Sequence, residues 1–436
     1  GSNRKIDPTR RAHLKPDRTP DDNDRVEIGP TDIAFAEWAA AGLQAPDMPA
    51  LREYRLARLQ EQIIRHDCAG LLLFDPLNIR YATDATNMQL WTTHNPARAC
   101  FVPPQGNVIL WDFHNCEHLS QHLPLIGEVR HGASFFYFET GDRTAAAADE
   151  FVAVILHLMA RFGGKNKRLA VDRIEHVGYA ALRANDVDVL EGQVLTEHAR
   201  SVKNANELNA MRCAIHACER AVDEMRDAMR PGVSENEMWA ALHAGNIKRG
   251  GEWIETRILA SGPRTNPWFQ ECGPRIMQEG DMMAFDTDLV GTHGYCCDIS
   301  RSWIVGDAKP TDEQRTLYQI AYEHVMTNIS LIKPGMSFAE MTAKAHRLPE
   351  AYRPLRYGVL AHGVGLCDEY PSVRYPEDVE AHGYSGSFVP GMTLCVEAYV
   401  GAVGGQEGVK LEEQVVVTET GCAPLSQYPY EKALLA

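Results

Sequence analysis

The sequence has no apolar run long enough to cross a bilayer, no excess of basic residues and no ordered cysteine pattern. The first absence excludes a helical membrane span. The second is a matter of balance: 43 Lys and Arg stand against 59 Asp and Glu, a formal charge of −16. Such a surface repels nucleic acid. Eleven cysteines, an odd number with Cys296 and Cys297 adjacent, make neither a disulfide framework nor a zinc ribbon, so a reducing cytoplasmic setting is expected. No signal-peptide pattern opens the chain, and Gly1-Ser2 reads as a cloning remnant. What is present is length and hydrophobic content, 436 residues at 44%, enough for two or three domains with real cores.

Three segments emerge. Residues 1–47 read as an N-terminal arm: Asn3 to Pro30 is charged, Pro-rich and poor in apolar groups, either disordered or wrapped around a partner subunit. Residues 48–195 read as an α/β domain. Leu56, Leu59, Ile63 and Ile64 form a helical stripe, followed by a buried strand in GLLLFD and a turn in PLNIRYATD. A strand through Val108 and Leu110, an Ala-rich helix over Thr144–Phe162 and a strand at Arg168–Val171 complete it. After a polar connection, Thr196 to Asn206, residues 205–436 make a second domain. It opens with a helix whose apolar positions run Leu208, Met211, Ile215, Cys218, Val222, Met225 and Met229.

That domain repeats itself. RPGVSENEMWAALH (Arg230 to His243) and KPGMSFAEMTAKAH (Lys333 to His346) match in register at an offset of 103. Each has a Pro-Gly stop, a Ser-x-x-Glu capping box and a terminal His, and each follows a long helix. Two halves related by a pseudo-twofold, leaving a cleft for metals and a small substrate, are the expected result. His243 and His346 sit on helices, where packing is a better account than ligation.

The chemistry-bearing stretch is FDTDLVGTHGYCCDISRSW, Phe285 to Trp303. A strand places Asp286 and Asp288 on one face, and a turn at Gly291 and Gly294 brings Asp298 alongside. Three converging acids repel unless a cation sits between them. A lone DxD reads as solvated acids on a hairpin, but three more polar residues interrupt runs built for burial: His362 in AHGVGL, Glu397 in LCVEAYV and Glu412 in VKLEEQVVV. Five carboxylates and one imidazole suit two divalent ions with bridging carboxylates. The oxygen-rich, thiolate-free set favours Mn, Fe or Co and tolerates Zn.

In order and spacing these blocks resemble the pita-bread metallopeptidase family of methionine aminopeptidase, aminopeptidase P, prolidase and creatinase. The resemblance implies an α+β fold: a pita-bread catalytic domain with an internal pseudo-twofold behind a creatinase-like α/β domain. It also implies a homodimer, and Asp286, Asp288, Asp298, His362, Glu397 and Glu412 as metal ligands. The family's first two Asp stand eleven apart, where this chain has Thr287, flanked by Asp286 and Asp288 at twelve and ten before Asp298.

Peptidases of the family carry histidines that handle the amide proton. Here Asp368 and Glu369 follow the metal His, and Trp268 and Phe269 occupy the upstream segment. In this the chain resembles the branch that cleaves dimethylsulfoniopropionate. The resemblance implies a two-metal centre, with Fe favoured over Mn, Co or Zn, and Asp368 as general base. Aromatic faces attract a sulfonium, and Trp91, Tyr357, Trp268 and Phe269 are the candidates, each with core packing as the plainer role. Asp-Glu-Tyr-Pro also reads as a surface turn. The competing expectations are a metal-dependent hydrolase, such as an Xaa-Pro peptidase or creatinase, and a non-catalytic binding protein.

Overall fold

The computed structural model describes Asp17, Arg18 and residues 28–436. The expected arm therefore lies outside the described residues up to Glu27, Asp17 and Arg18 apart. The chain divides into two compact units: Asp47–Arg200, and Ile28–Pro46 together with Ser201–Ala436. In the latter, α1 (Asp32–Ala40) buries Ala34 and Trp38, and the Trp38 indole donates to Cys213 O at 2.9 Å. The end of the expected arm is thus tied to the second unit by a buried aromatic.

The first unit opens with α2 (Met48–Arg65), capped by the Asp47 carboxylate accepting from Ala50 N at 3.2 Å. Leu56, Leu59 and Ile63 of the stripe read from sequence are buried, joined by Leu51, whereas Ile64, next to Ile63 and so about 100° further round the helix, is exposed. β1 (Gly70–Leu73) leads to α3 (Pro76–Thr83). The sequence reads a turn there. Asp75 instead caps a helix, accepting from Leu77 N at 2.9 Å with Pro76 in the first turn. β2 (Ala99–Val102), β3 (Val108–Trp111) and β4 (Ile126–Arg130) follow, then α4 (Tyr137–Thr140), α5 (Thr144–Gly163), β5 (Arg168–Val171), α6 (His176–Ala184), β6 (Asp188–Glu191) and α7 (Gly192–Ser201). The sheet order is β4-β3-β2-β1-β5-β6. Helix α7 covers half of the expected polar connection, because Leu195 and Ala199, one turn apart, are fully buried beneath its polar residues.

The second unit continues with α8 (Ala205–Ala228) and α9 (Glu235–Lys248), then short strands β7 (Trp253–Ile254), β8 (Leu259–Ser261), β9 (Met282–Asp286), β10 (Leu289–Val290), β11 (Cys296–Cys297) and β12 (Ser300–Ile304). Helices α10 (Asp312–Leu331) and α11 (Phe338–Lys344) precede β13 (Ala361–Val364), β14 (Asp368–Val373), β15 (Thr393–Val400), β16 (Val409–Val417) and β17 (Cys422–Pro424). One curled sheet runs β14-β13-β15-β16-β12-β9-β8 with β17 on β16, and a smaller one runs β11-β10-β7. No helix among the described residues is long and apolar enough to cross a membrane.

The internal repeat is visible in hydrogen bonds. Gly232 N donates to Met277 O at 2.9 Å, and Gly335 N donates to Phe388 O at 2.9 Å. Ser234 bridges Ile276, and Ser337 bridges Ser387. Each Pro-Gly stop thus hands the chain to the same kind of strand contact before its helix starts. The two caps differ. Ser234 and Glu237 form the complete box, whereas Glu340 turns away to Lys344 Nζ at 2.8 Å and leaves Ser337 as a simple cap.

Candidate metal centre

Four neighbouring strands place the acids in a row. Asp286 on β9 faces Ser300 on β12, Ser300 faces Glu412 on β16, and Glu412 faces Glu397 on β15. Directly opposed residues project from the same face of a sheet, so three carboxylates leave in line with one small hydroxyl among them. His362 on β13 pairs with Cys395, two residues before Glu397 and hence on the same face. Asp298 follows β11. The strand expected to carry both Asp286 and Asp288 stops at Asp286. Asp288 instead takes a left-handed backbone, φ 39°, and its Oδ2 accepts from Thr256 Oγ1 at 2.8 Å. Both acids still converge with Asp298: one ligand atom of each lies within 4.8 Å of the others.

The same distance encloses Asp286, Glu397 and Glu412, and also Asp298, His362 and Glu412 with Cys395. The structure therefore brings together all six residues expected as ligands. His362 Nε2 stands 2.9 Å from Glu397 Oε2 and 3.4 Å from both Asp298 Oδ2 and Glu412 Oε2. Its other nitrogen, Nδ1, donates to Gly363 O at 2.9 Å. In that tautomer Nε2 presents a lone pair to three carboxylate oxygens, an arrangement that needs a proton or a metal between them. Asp286 Oδ1, Glu397 Oε2 and Glu412 Oε2 are buried and accept no well-formed hydrogen bond. Orphaned anionic oxygens around one imidazole fit divalent cations.

The titration directions agree. Burial, with Asp286, Asp288 and Glu412 nearby, pushes Asp298 well above the usual carboxylate range. Burial and Asp286 do the same to Asp288, and burial with Asp286 and Glu397 to Glu412. For Glu397 burial is outweighed by Lys410 and His362, and its carboxyl is lowered. His362 is penalised by burial yet raised overall, because Asp368 and Glu397 hold its charge. Without metal the cage keeps protons that a divalent ion would displace.

Residues not assigned from sequence complete the shell. Lys410, fully buried, donates to Glu397 Oε1 at 2.9 Å, Glu412 Oε1 at 3.2 Å and Ser300 Oγ at 3.0 Å. Ser300 Oγ in turn donates to Glu412 Oε1 at 2.9 Å. The signal was available: Lys410, Glu412 and Gln414 alternate along one face of the nine-residue buried strand Val409–Val417.

Asp368 heads β14, with Oδ1 3.8 Å from His362 Nδ1 and its side chain 52% exposed. Withdrawal from water raises it most, Asp286 and Glu397 add to this, and His362 opposes. Its neighbour Glu369 turns inward to a buried ion pair with Lys203, a structural role. Phe269, 59% exposed, stacks on Tyr357 at 5.3 Å. Trp268 is only 8% exposed and stacks on Tyr399 at 5.6 Å, as a packed core residue does. Trp91 belongs to the first unit, its ring 5.7 Å from Phe113. His243 lies against Trp239, and His346 meets His324 at 3.0 Å.

Comparison with known proteins identifies the family. Residues 209–419 match the metallopeptidase family M24. The dimethylsulfoniopropionate lyase DddP of Roseovarius nubinhibens is 53% identical, over 99% of this chain and 98% of the relative. The DddP of Roseobacter denitrificans is 50% identical over the same shares. Among solved structures, the Xaa-Pro dipeptidase from Bacillus anthracis aligns with a TM-score of 0.68 at 22% identity, covering 86% of this chain and 98% of that one. At such identity it speaks for the fold alone, and the fold is that of the prolidases and aminopeptidases P. The chain therefore belongs to the M24 metallopeptidase family, in its DddP branch.

Proposed function

We propose that this protein is a dimethylsulfoniopropionate lyase, a carbon–sulfur lyase that forms dimethyl sulfide and acrylate by β-elimination. The observation that carries the reading is identity of 53% and 50%, across 99% of the chain, with relatives named as such lyases. The site residues are consistent with it. Where the peptidase-like reading calls for proton-handling histidines, this chain has Glu369 locked to Lys203, and Trp268 packed on Tyr399.

Asp286, Asp288, Asp298, His362, Glu397 and Glu412 would hold two divalent ions; the family resemblance favours iron, and the donors accommodate Mn, Co or Zn as well. When bound, the ions supply Lewis-acid stabilisation of the negative charge that gathers at the carboxylate end of the substrate as the adjacent carbon loses a proton. Asp368 takes that proton. Its place beside His362, half open to solvent, lets it meet a substrate that the buried acids cannot reach, and its raised affinity for protons suits a base. The C–H electron pair becomes the C=C bond, and the C–S pair departs with sulfur. Dimethyl sulfide leaves neutral, so no general acid is needed. The stacked pair Tyr357 and Phe269 would receive the sulfonium on the exposed Phe269 ring, with Tyr357 behind it.

The same reading carries a homodimer in a reducing cytoplasm, in keeping with eleven cysteines that are all free thiols. The test is gas chromatography of the headspace above purified protein mixed with dimethylsulfoniopropionate, run beside an Xaa-Pro dipeptide assay. Dimethyl sulfide with stoichiometric acrylate is expected. Dipeptide cleavage without dimethyl sulfide would replace the lyase by a hydrolase.

A further inference from the structure

Of the five carboxylates of the centre, three face one buried ammonium. Lys410 Nζ touches the three aligned carboxylates on one side only: Glu397 Oε1 at 2.9 Å, Glu412 Oε1 at 3.2 Å and Asp286 Oδ2 at 3.7 Å. The opposite oxygens of the same three groups, Asp286 Oδ1, Glu397 Oε2 and Glu412 Oε2, are the orphaned ones. Each carboxylate is thus divided between a resident cation and a vacant acceptor. The ammonium is itself walled in, 4.5 Å from the Tyr357 ring centroid and 6.0 Å from that of Trp268, and it is fully buried.

We propose that Lys410 is the built-in counter-cation of the centre: it holds Asp286, Glu397 and Glu412 assembled and aimed before metal arrives, so that the cage survives without its ions. It is a positioning residue, acting through the ligands and not on substrate. The inference rests on the metal-binding reading of these carboxylates. Three buried acids in a row, with neither ammonium nor metal, would have to take up protons or spread apart. With the ammonium present, one oxygen of each is pinned and the other is left for a divalent ion. An ordinary packing role for the lysine stem would matter equally with and without metal. A counter-charge role matters chiefly without.

The experiment compares wild type, Lys410→Met and Lys410→Arg in thermal denaturation, each after exhaustive chelation and again after reloading with Mn(II), with metal content measured by plasma emission. Lys410→Met is expected to lose about 10 °C or more as the metal-free protein, since an uncompensated buried charge is the costly case. Metal should recover most of that loss, and Lys410→Arg should lie between. A double variant, Lys410→Met with Glu397→Gln, removes one charge of each sign. Metal-free, it should melt above the single variant, which keeps the test decisive even if Lys410→Met folds only with metal. Equal destabilisation of metal-free and loaded Lys410→Met, or a double variant no more stable than the single one, would overturn the proposal. A wild type that binds no metal at all would instead remove the metal reading itself, and this inference with it.

Discussion

Glu397 and Glu412 are direct partners across the antiparallel ladder of β15 and β16, and each has one carboxylate oxygen on the Lys410 ammonium and the other turned toward His362 Nε2. This pairing makes the centre a property of the sheet. Converting either to Gln keeps its shape but removes an anionic donor, and metal affinity is expected to fall by more than about 100-fold, beyond the usual cost of losing a supporting residue. Metal content after dialysis at limiting Mn(II) checks this; stoichiometric retention in Glu412→Gln would remove it from the ligand set.

Asp368 stands at the edge of that cage instead of within it. Asp368→Asn is expected to lower kcat about 10²- to 10⁴-fold, the range for loss of a general base, while metal content stays at the wild-type level. Steady-state dimethyl sulfide release measures the first and plasma emission the second. Activity within tenfold of wild type would shift the proton transfer to another group.

The raised affinity of Asp368 for its proton has a signed consequence. As the proposed base, Asp368 works only when unprotonated, so activity should be present at neutral pH and lost as pH falls through the elevated value. The acid limb of kcat/KM should therefore lie above about 4, the ordinary carboxylate midpoint. A limb at or below that point would mean that bound metal and His362 together cancel the effect of lost water.

Tyr357 backs the exposed Phe269 ring at 5.3 Å, and burial with the neighbouring acids pushes its hydroxyl far above its usual range. It stays neutral, so its value for a sulfonium lies in the ring. Tyr357→Phe should change KM by no more than about twofold, and Tyr357→Ala should raise it about tenfold, in line with a cation–π contact of 1–2 kcal/mol. Equal losses in both would assign the contribution to the hydroxyl.

The repeat makes a stability test. Gly232 and Gly335 occupy equivalent Pro-Gly stops at φ 94° and 84°, with no atom near an added Cβ. Alanine at either site should cost only the left-handed backbone penalty, about 1–2 kcal/mol, and the two costs should add, since the sites share no partner. Melting curves of the two single variants and the double variant decide it.

How much of this was legible beforehand follows from the kind of signal each residue gives. His362, Glu397 and Glu412 interrupt otherwise buried strands, and an isolated polar residue in such a run shows in one dimension. Lys410 gave the same signal but hid inside a run of charges, KLEE, where a basic residue beside acids reads as surface. Ser300 gave none: its place comes from standing opposite both Asp286 and Glu412, and register across three strands is not written in any one of them. The helix at Pro76–Thr83 was hidden for a local reason, a cap at Asp75 that reads equally as a turn.

By itself the sequence determined the types of the candidate ligands, their order along the chain, the duplicated helix-and-strand halves and the absence of a peptidase's histidine at the Glu369 position, because each is a matter of residue identity and spacing. The tertiary structure decided what spacing cannot carry. It bent the backbone at Asp288 so that the carboxylate rejoined the others off the strand. It sent Glu369 inward to Lys203 while leaving Asp368 half in water, though the two are neighbours. And it set a buried ammonium against three acids, since electrostatic balance in a dry interior depends on distances that only the closed sheet fixes.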